Sequence, residues 1–482
     1  MYLGLDLGTS GLKTLLMDGN QNVVGSAHAA LDVARPHPSW SEQDPSAWVA
    51  AARAAIGELR AAHSGEFGAI KGIGLSGQMH GATLLDAKDQ VLRPCILWND
   101  TRSHKEAARL DSDPRFREIT GNIVFPGFTA PKLAWVKNNE PGIFAKVAKV
   151  LLPKDYLRLW LTGEHISDMS DSSGTSWLDV ANRRWSAELL AATDLGEEHM
   201  PALVEGTQPA GSLRRQLAAE WGLEGEVVVA GGAGDNAASA CGMGIVRAGH
   251  AFVSLGTSGV LFAANGSYLP NPDSAVHTFC HALPDSWHQM GVILSATDSL
   301  NWLADITGKD AAELTDELGK DLKAPTGVSF LPYLSGERTP HNDALIRGSF
   351  TGLGHETDRV ALTQAVVEGV AFAFRDSLEA LRKAGTELSR VTAIGGGSRS
   401  RYWLKAIATA LGLPVDIPAD GDFGAAFGAA RLGLIAAENA DPLVVCSTPN
   451  TAETIEPDGA LAGAYFDAYQ RYRALYPAIK AV

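Results

Sequence analysis

The stretch "YLGLDLGTSGLK" (Tyr2–Lys13) contains the word LGTSG at Leu7–Gly11, and "AFVSLGTSGVLF" (Ala251–Phe262) repeats it at Leu255–Gly259. An apolar run precedes and follows each copy, so the chain runs out, turns and returns as a β-hairpin. Glycine supplies the φ > 0 conformation such a tip needs, and the small hydroxyl residues leave backbone N–H groups open. N–H groups arranged this way form a concavity suited to phosphate. One Gly-Ser-Thr turn is ordinarily no more than a hairpin tip. Two copies, each early in its own half and in the same strand context, imply an internally duplicated fold. Gly8, Thr9 and Ser10 on one side, and Gly256, Thr257 and Ser258 on the other, then grip one ligand. The preceding residue is Asp6 in the first copy and Ser254 in the second.

The chain has 482 residues, too many for one ordinary core, so two or three domains are expected. Apolar residues at 45% and charged residues at 20% suit a soluble globular protein. A formal net charge of −15 argues against a surface that coats nucleic acid or binds anionic membranes. It leaves room for a phosphorylated ligand held at a local turn with a metal ion. Cys95, Cys241, Cys280 and Cys446 are scattered without a CxxC pair, which fits reduced, buried thiols. No stretch of membrane-spanning length is free of charges and turn residues. These features together point to a cytoplasmic setting.

Short apolar runs bounded by Gly or Asp read as strands: Met1–Leu7, Thr14–Met17, Val227–Ala230, Ala251–Leu255, Val260–Ala263 and Val391–Ile394. Helical patterns alternate with them. Asp44–Pro45 opens Ser46–Ala62 with an acceptor cap and a proline whose absent N–H costs nothing at that position. Ala361–Ala384 ends at Gly385, and Arg399–Leu411 follows a glycine run and stops at Gly412. The class is therefore α/β, with mixed sheets in two domains, 1–245 and 246–482. The boundary falls near "GMGIVRAG" (Gly242–Gly249), and a cleft is expected between the halves.

Asp6 ends the first strand, one residue before the turn. A carboxylate beside phosphates is repulsive unless a cation lies between them, so Asp6 is the expected Mg²⁺ holder. In "VVVAGGAGDNAASACG" (Val227–Gly242) a strand runs through Gly231, Gly232 and Gly234 into Asp235–Asn236 and a small-residue helix. An aspartate at that junction can accept a proton from a substrate hydroxyl during phosphoryl transfer. A plain helix cap reads equally well there.

Other segments speak more softly. "LSGQMHGATLLD" (Leu75–Asp86) sets Met79 and His80 between glycines, although a lone histidine is more often structural. In "ILWNDTR" (Ile96–Arg102) and "GFTAPKLAW" (Gly127–Trp135), Trp98 and Trp135 read as core and Lys132 as solvated. Gly395, Gly396 and Gly397 join a strand to a helix, where backbone can approach a flat ring or a phosphate. They do not form the GxGxxG dinucleotide pattern. "FLPYLSGERTPHND" (Phe330–Asp343) reads either as a cleft-lining loop or as ordinary surface.

In combination, "GLDLGTSGLK", "GQMHGATLLD", "RPCILWNDTRS", "GNIVFPGFTAPKLAWV", "LLPKDYLRLWLTGE", "DMSDSSGTSWLDV", "AGGAGDNAA", "SLGTSGV" and "FLPYLSGERTPHN" resemble the FGGY carbohydrate kinases over nearly the whole chain. The resemblance implies two duplicated actin-like, ribonuclease-H-like domains around a catalytic cleft, with MgATP held mainly by the second. It matches Asp235 to the catalytic base and Asp6 to the metal and phosphate aspartate. Met79 and His80 match a pentulose-binding pair, with Asp235 and Asn236 also facing the sugar, and Gly395–Gly397 match the adenine side. Glycerol kinases carry Arg-Glu where this chain has Met79–His80, which disfavours glycerol. Ala233 departs from the pattern, standing where near relatives have a third glycine.

The implied reaction is transfer of the ATP γ-phosphoryl group to D-xylulose, with Asp235 taking the hydroxyl proton. Ribulose or another ketose is the nearest alternative, and an actin-like or Hsp70-like ATPase or a non-catalytic sugar sensor lies further off. Oligomeric state stays open, a homodimer included.

Overall fold

The computed structural model describes residues 1–419, 421 and 423–481. Two seven-stranded sheets dominate it. The first contains β1 (Tyr2–Leu7), β2 (Gly11–Met17), β3 (Val23–Ala30), β4 (Gly72–Gly77), β5 (Pro209–Ser212) and β6 (Val228–Ala230), in the order β5-β6-β4-β1-β2-β3, with residues 233–234 also pairing to β4. The second contains β7 (Ala251–Leu255), β8 (Gly259–Asn265), β9 (His277–Cys280), β10 (Trp287–Ile293), β11 (Val391–Ile394), β12 (Val415–Pro418) and β13 (Thr451–Ile455). Its order is β9-β10-β8-β7-β11-β12-β13.

Placing β1 over β7 aligns the sheets strand by strand. Each central strand pairs antiparallel with the strand that follows it and parallel with a late strand on its other side. A further parallel strand and an antiparallel edge strand complete that side in both. The repeated LGTSG is thus the same hairpin tip in two copies of one topology, closed at Leu7↔Leu12 and at Leu255↔Gly259.

Nine helices position the site: α1 (Pro45–Ala62), α2 (Thr129–Asn139), α3 (Pro153–Thr162), α4 (Asp235–Met243), α5 (Thr297–Thr307), α6 (Arg359–Lys383), α7 (Arg401–Leu411), α8 (Ala425–Glu438) and α9 (Ala462–Lys480). Asp44 caps α1 by accepting from the Ser46 N–H at 2.8 Å, with Pro45 at the first position, as its sequence predicts. Trp48 of α1 is fully buried with Leu3, Leu5, Leu7, Ile73 and Val229. Burying a leucine in this way is worth about 1.5–3 kcal/mol.

The predicted helix Arg399–Leu411 starts later, at Arg401. Ser400 Oγ accepts from the Trp403 N–H at 3.3 Å and caps it, and the residues before form a 3₁₀ turn over Gly396–Arg399. The glycine run therefore feeds a tight turn rather than the α-helix itself.

A division at 245/246 separates the two sheets but not all of their helices. α8, from the second half, lies on the first sheet. A Cβ on Gly74 would fall 1.7 Å from the Ala429 carbonyl oxygen, and one on Gly4 would fall 1.9 Å from that of Ala426. On its other side, a Cβ on Gly428 would fall 1.8 Å from the Ala238 carbonyl oxygen of α4. Glycine alone permits this backbone-to-backbone approach. Arg431 of α8 ties the seam by donating to the carbonyls of Cys241 and Gly242 at 2.9 and 3.0 Å. No helix among the described residues is long and apolar enough to cross a membrane.

Candidate active site

Asp6, Ser76 and Ala233 sit side by side on three neighbouring strand segments, in the register Asp6↔Ser76 and Ser76↔Ala233. Ser76 Oγ donates to Asp6 Oδ1 at 3.0 Å. Asp235 follows two residues after Ala233 as the first residue of α4, with Gly234 in the cap position. The helix-cap alternative for Asp235 is thereby removed. Its Oδ1 instead accepts from the Asn236 N–H at 2.7 Å and from Asn236 Nδ2 at 2.9 Å. Burial, then the neighbouring Asp6 carboxylate, push the Asp235 carboxyl up to about 6.

The residue in this loop that needs positive φ is Gly232, at +74°, where a Cβ would meet the Leu75 carbonyl oxygen at 2.3 Å. Ala233 is not in that region; it is buried in extended pairing with β4, so alanine fits.

The first turn is held from inside. Gly8 N–H donates to Gly11 O at 2.9 Å, Gln78 N–H to Leu7 O at 2.8 Å, and Leu31 N–H to Ser10 O at 2.9 Å. Gln43 Nε2 donates to Thr9 O at 2.7 Å. The carbonyls of Leu7, Thr9, Ser10 and Gly11 are occupied this way, and the Thr9 hydroxyl donates to Gln78 Oε1 at 3.1 Å. Trp98 is 49% exposed and donates its Nε1 proton to Thr9 Oγ1 at 2.9 Å, so the expectation of a core tryptophan fails. The indole's polar end has a partner at the turn and its face is left to the cleft. Trp135 is half-buried, edge-on to Trp40.

The second turn is braced by α5. Thr297 donates to Gly256 O from its N–H at 2.9 Å and from Oγ1 at 2.8 Å, and Ala296 N–H donates to Thr257 O at 2.8 Å. Gly395 crosses close to β7, where a Cβ would fall 2.6 Å from Leu255 O. Next to it opens a cavity of about 760 Å³ between Gly396, Gly397 and Arg399 on one side and Thr297, Leu300 and Asn301 on the other. Gly396 and Gly397 line this cavity, which is large enough for a nucleoside, and Gly395 and Gly397 pack on Leu255, the residue before the second turn.

Met79 and His80 follow β4. Met79 is buried, and its side chain reaches the Gly234 backbone, where a Cβ would be 2.9 Å from Met79 Cγ. His80 has φ +69°, unusual for a side-chain-bearing residue. Thr129 Oγ1 and Lys132 Nζ both donate to its carbonyl oxygen, at 3.1 and 2.8 Å, and hold it there. Lys132 is fully buried rather than solvated, and burial pulls its ammonium down to about 7. His80 Nδ1 lies 2.8 Å from Gly174 O and the ring stacks on Phe128 at 4.6 Å. Burial, reinforced by Lys132, pulls its imidazole down to about 3, so the ring is neutral at ordinary pH.

Across from it, the Phe330–Asp343 loop proves to line the interior. Glu337 is buried, and the Arg338 guanidinium lies 4.2 Å from the centre of the Phe125 ring and 3.3 Å from His277 Nε2. Arg338 escaped the sequence reading because nothing local marks a loop arginine that reaches a pocket built by the other half of the chain.

Two hard carboxylates, Asp6 and Asp235, beside the first LGTSG turn make a donor set of oxygens alone. That set fits Mg²⁺, which binds through one or two carboxylates and leaves its remaining positions to phosphates and water. The Asp6 carboxylate raises the proton affinity of Asp235, and a divalent cation relieves that repulsion.

This geometry is that of a two-domain phosphotransferase. The N-terminal domain model of the FGGY family of carbohydrate kinases matches residues 1–242, and the C-terminal domain model of the same family matches residues 251–437. The chain belongs to this family and is a carbohydrate kinase of the actin-like, ribonuclease-H-like fold. A xylulose kinase of Escherichia coli (strain K12) is 48% identical, over 99% of this chain and 98% of its own. The crystal structure of a xyloylose kinase from Brucella ovis is 72% identical, with a TM-score of 0.99 over 100% of this chain and 99% of its own. The xylulose kinase of Rhodospirillum rubrum is 31% identical, with a TM-score of 0.93 over 100% of this chain and 99% of its own.

Proposed function

We propose that this kinase phosphorylates D-xylulose with ATP, giving D-xylulose 5-phosphate and ADP. The observation that carries the reading is the placement of Asp235 beside Asp6, at the end of three in-register strand segments and directly after Gly234, on which Met79 packs. The likeness to xylulose kinases supports the choice of ketose. Ribulose is the nearest alternative.

The sugar lies between Met79, which offers an apolar wall, and His80. His80 Nδ1–H donates to the Gly174 carbonyl, so Nε2 carries the lone pair and accepts from a sugar hydroxyl. Asp235 takes the proton of the terminal hydroxyl while that oxygen bonds to the γ-phosphorus and the bond to the β–γ bridging oxygen breaks. A carboxyl raised to about 6 is still ionised at neutral pH and is a better proton acceptor than an ordinary aspartate. The adenosine part of ATP occupies the cavity beside Gly396–Gly397, and the polyphosphate runs between the two LGTSG turns. Mg²⁺ at Asp6 supplies neutralisation of phosphate charge when bound. One nucleotide needs one such carboxylate, which accounts for Ser254 in the second copy. The four cysteines are all buried free thiols, which supports a reducing, cytoplasmic setting.

Asp235→Asn tests the reading. Loss of a positioned base costs about 10²–10⁴-fold in rate, so ketose-dependent turnover should collapse while ATP binding persists. Near-normal turnover refutes the assignment. Asp6→Ala should weaken productive MgATP use, with partial recovery in excess Mg²⁺; unchanged metal dependence would reduce Asp6 to a structural residue.

A further inference from the structure

Behind the Asp235 loop lies a cluster of charged side chains that the reaction itself does not use. Lys154 Nζ of α3 is 2.7 Å from Asp155 Oδ1, 2.7 Å from Asp168 Oδ1 and 3.0 Å from Asp171 Oδ2, and all four side chains are fully buried. Arg158, one turn further along α3 and equally buried, lies 3.5 Å from Asp155 Oδ1. Removing this much charge from water is costly and is tolerated only where pairing is close. Burial alone lowers the proton affinity of Lys154, and the three carboxylates more than reverse it. Burial lifts Asp171 well above the usual carboxylate range, against the pull of Lys154.

What this cluster touches gives it a role. Asp168 Oδ2 accepts from Ser170 Oγ at 2.5 Å, and Ser170 Oγ in turn accepts from the Gly234 N–H at 3.1 Å, one residue before Asp235. Arg158 donates from one terminal nitrogen to Ala230 O and from the other to Gly231 O, at the opposite end of the same loop. Lys154 also lies under the adjacent strand end, where a Cβ on Gly77 would be 3.1 Å from Lys154 Cβ. Both ends of the loop that delivers Asp235 therefore hang on groups organised by one buried ammonium.

We propose that Lys154 is a positioning residue for Asp235, acting through Asp168 and Ser170 at Gly234 and through Asp155 and Arg158 at Ala230 and Gly231. The proposal rests on Asp235 being the base. A buried cluster serving stability alone would hold helices together; this one also bonds, directly or through Ser170, to the backbone of Ala230, Gly231 and Gly234, residues with no polar side chain of their own. A rigid supporting shell of this kind keeps a catalytic group within the fraction of an ångström that reaction requires.

The experiment compares the full-length wild type with Ser170→Ala, Ser170→Thr, Lys154→Met and Asp235→Asn in steady-state kinetics with ATP and D-xylulose, alongside thermal melts. Displacing a catalytic group by about 1 Å costs on the order of 10²-fold, so Ser170→Ala should lower kcat by about 10- to 100-fold with both KM values nearly unchanged. Ser170→Thr keeps the hydroxyl and should restore most of kcat. Lys154→Met should lose at least as much as Ser170→Ala; if it does not fold, the Ser170 pair decides. Wild-type kcat in Ser170→Ala, whatever its melting temperature, overturns the proposal, as does a kcat loss that threonine leaves uncorrected. An active Asp235→Asn would sink the base assignment itself. An inactive Asp235→Asn beside a fully active Ser170→Ala would sink only the positioning role.

Discussion

His80 holds its Nδ1 2.8 Å from the carbonyl oxygen of Gly174. A carbonyl only accepts, so the ring proton sits on Nδ1 and the lone pair on Nε2. The ring is pinned further by its stack on Phe128 and by the two donors on its own carbonyl. A site built to accept one particular hydroxyl proton rejects analogues that lack it, because the buried acceptor is then left unpaired. His80→Ala should lower kcat/KM for D-xylulose by about 10-fold or more, consistent with one lost buried hydrogen bond, and leave the KM for ATP nearly unchanged. Steady-state kinetics with each substrate varied in turn checks this. Unchanged ketose kinetics would remove His80 from the sugar site.

The nucleotide cavity offers a test that spares the fold. A Cβ on Gly396 meets nothing within 4 Å, whereas one on Gly397 would be 2.8 Å from Leu255 Cβ and 3.0 Å from Thr297 Cγ2. Gly396→Leu therefore projects its side chain into open cavity. It should raise the KM for ATP about 10-fold, with ketose KM and melting temperature nearly constant, since occupied pocket volume competes directly with the ligand. Nucleotide titration and a melt measure both. An unaltered ATP KM would move the nucleoside elsewhere.

The local parts of this molecule were readable from its sequence. A hairpin tip, an Asp-Pro helix start and a strand-to-helix junction are decided by a few neighbouring residues, so LGTSG, Asp44 and Asp235 came out in the right elements. Burial and cross-chain contact were not readable. Lys132 looked solvated because a lysine on a helix usually is, yet α2 docks it against the His80 carbonyl. Trp98 looked like core because its exposed seat depends on Thr9, far away in sequence. The small-residue pattern of α8 carried a trace of its close packing on Gly4 and Gly74, but nothing local says which sheet a helix will cover.

Buried neutral histidines make stability depend on acidity. Burial depresses the imidazoles of His80 and His281 to about 3 and about 4, and those of His277 and His288 well below the usual value. In the unfolded chain these rings titrate near 6.5. Below that pH the unfolded state binds more protons, so stability is full above about 6.5 and falls as pH drops toward the folded values. Each such ring contributes up to about 1.4 kcal/mol per pH unit in that window. Burial also raises the carboxyls of Glu337 and Glu368 to about 8, and these gain stability as pH falls, so the histidine part is read as a difference between wild type and variant. His281→Asn should lose less melting temperature than the wild type on going from pH 6.5 to 5. Equal pH slopes in the two proteins would remove His281 from the effect.

The most direct test of the account is a coupled assay of ADP release with ATP, Mg²⁺ and a panel of D-xylulose, D-ribulose, D-xylose and glycerol. The arrangement of Met79, His80 and Asp235 predicts the highest kcat/KM for D-xylulose, a lower value for D-ribulose and negligible turnover of glycerol, for which the pocket carries no Arg-Glu pair. Glycerol phosphorylated as efficiently as D-xylulose, or ADP released at the same rate without any sugar, would contradict it.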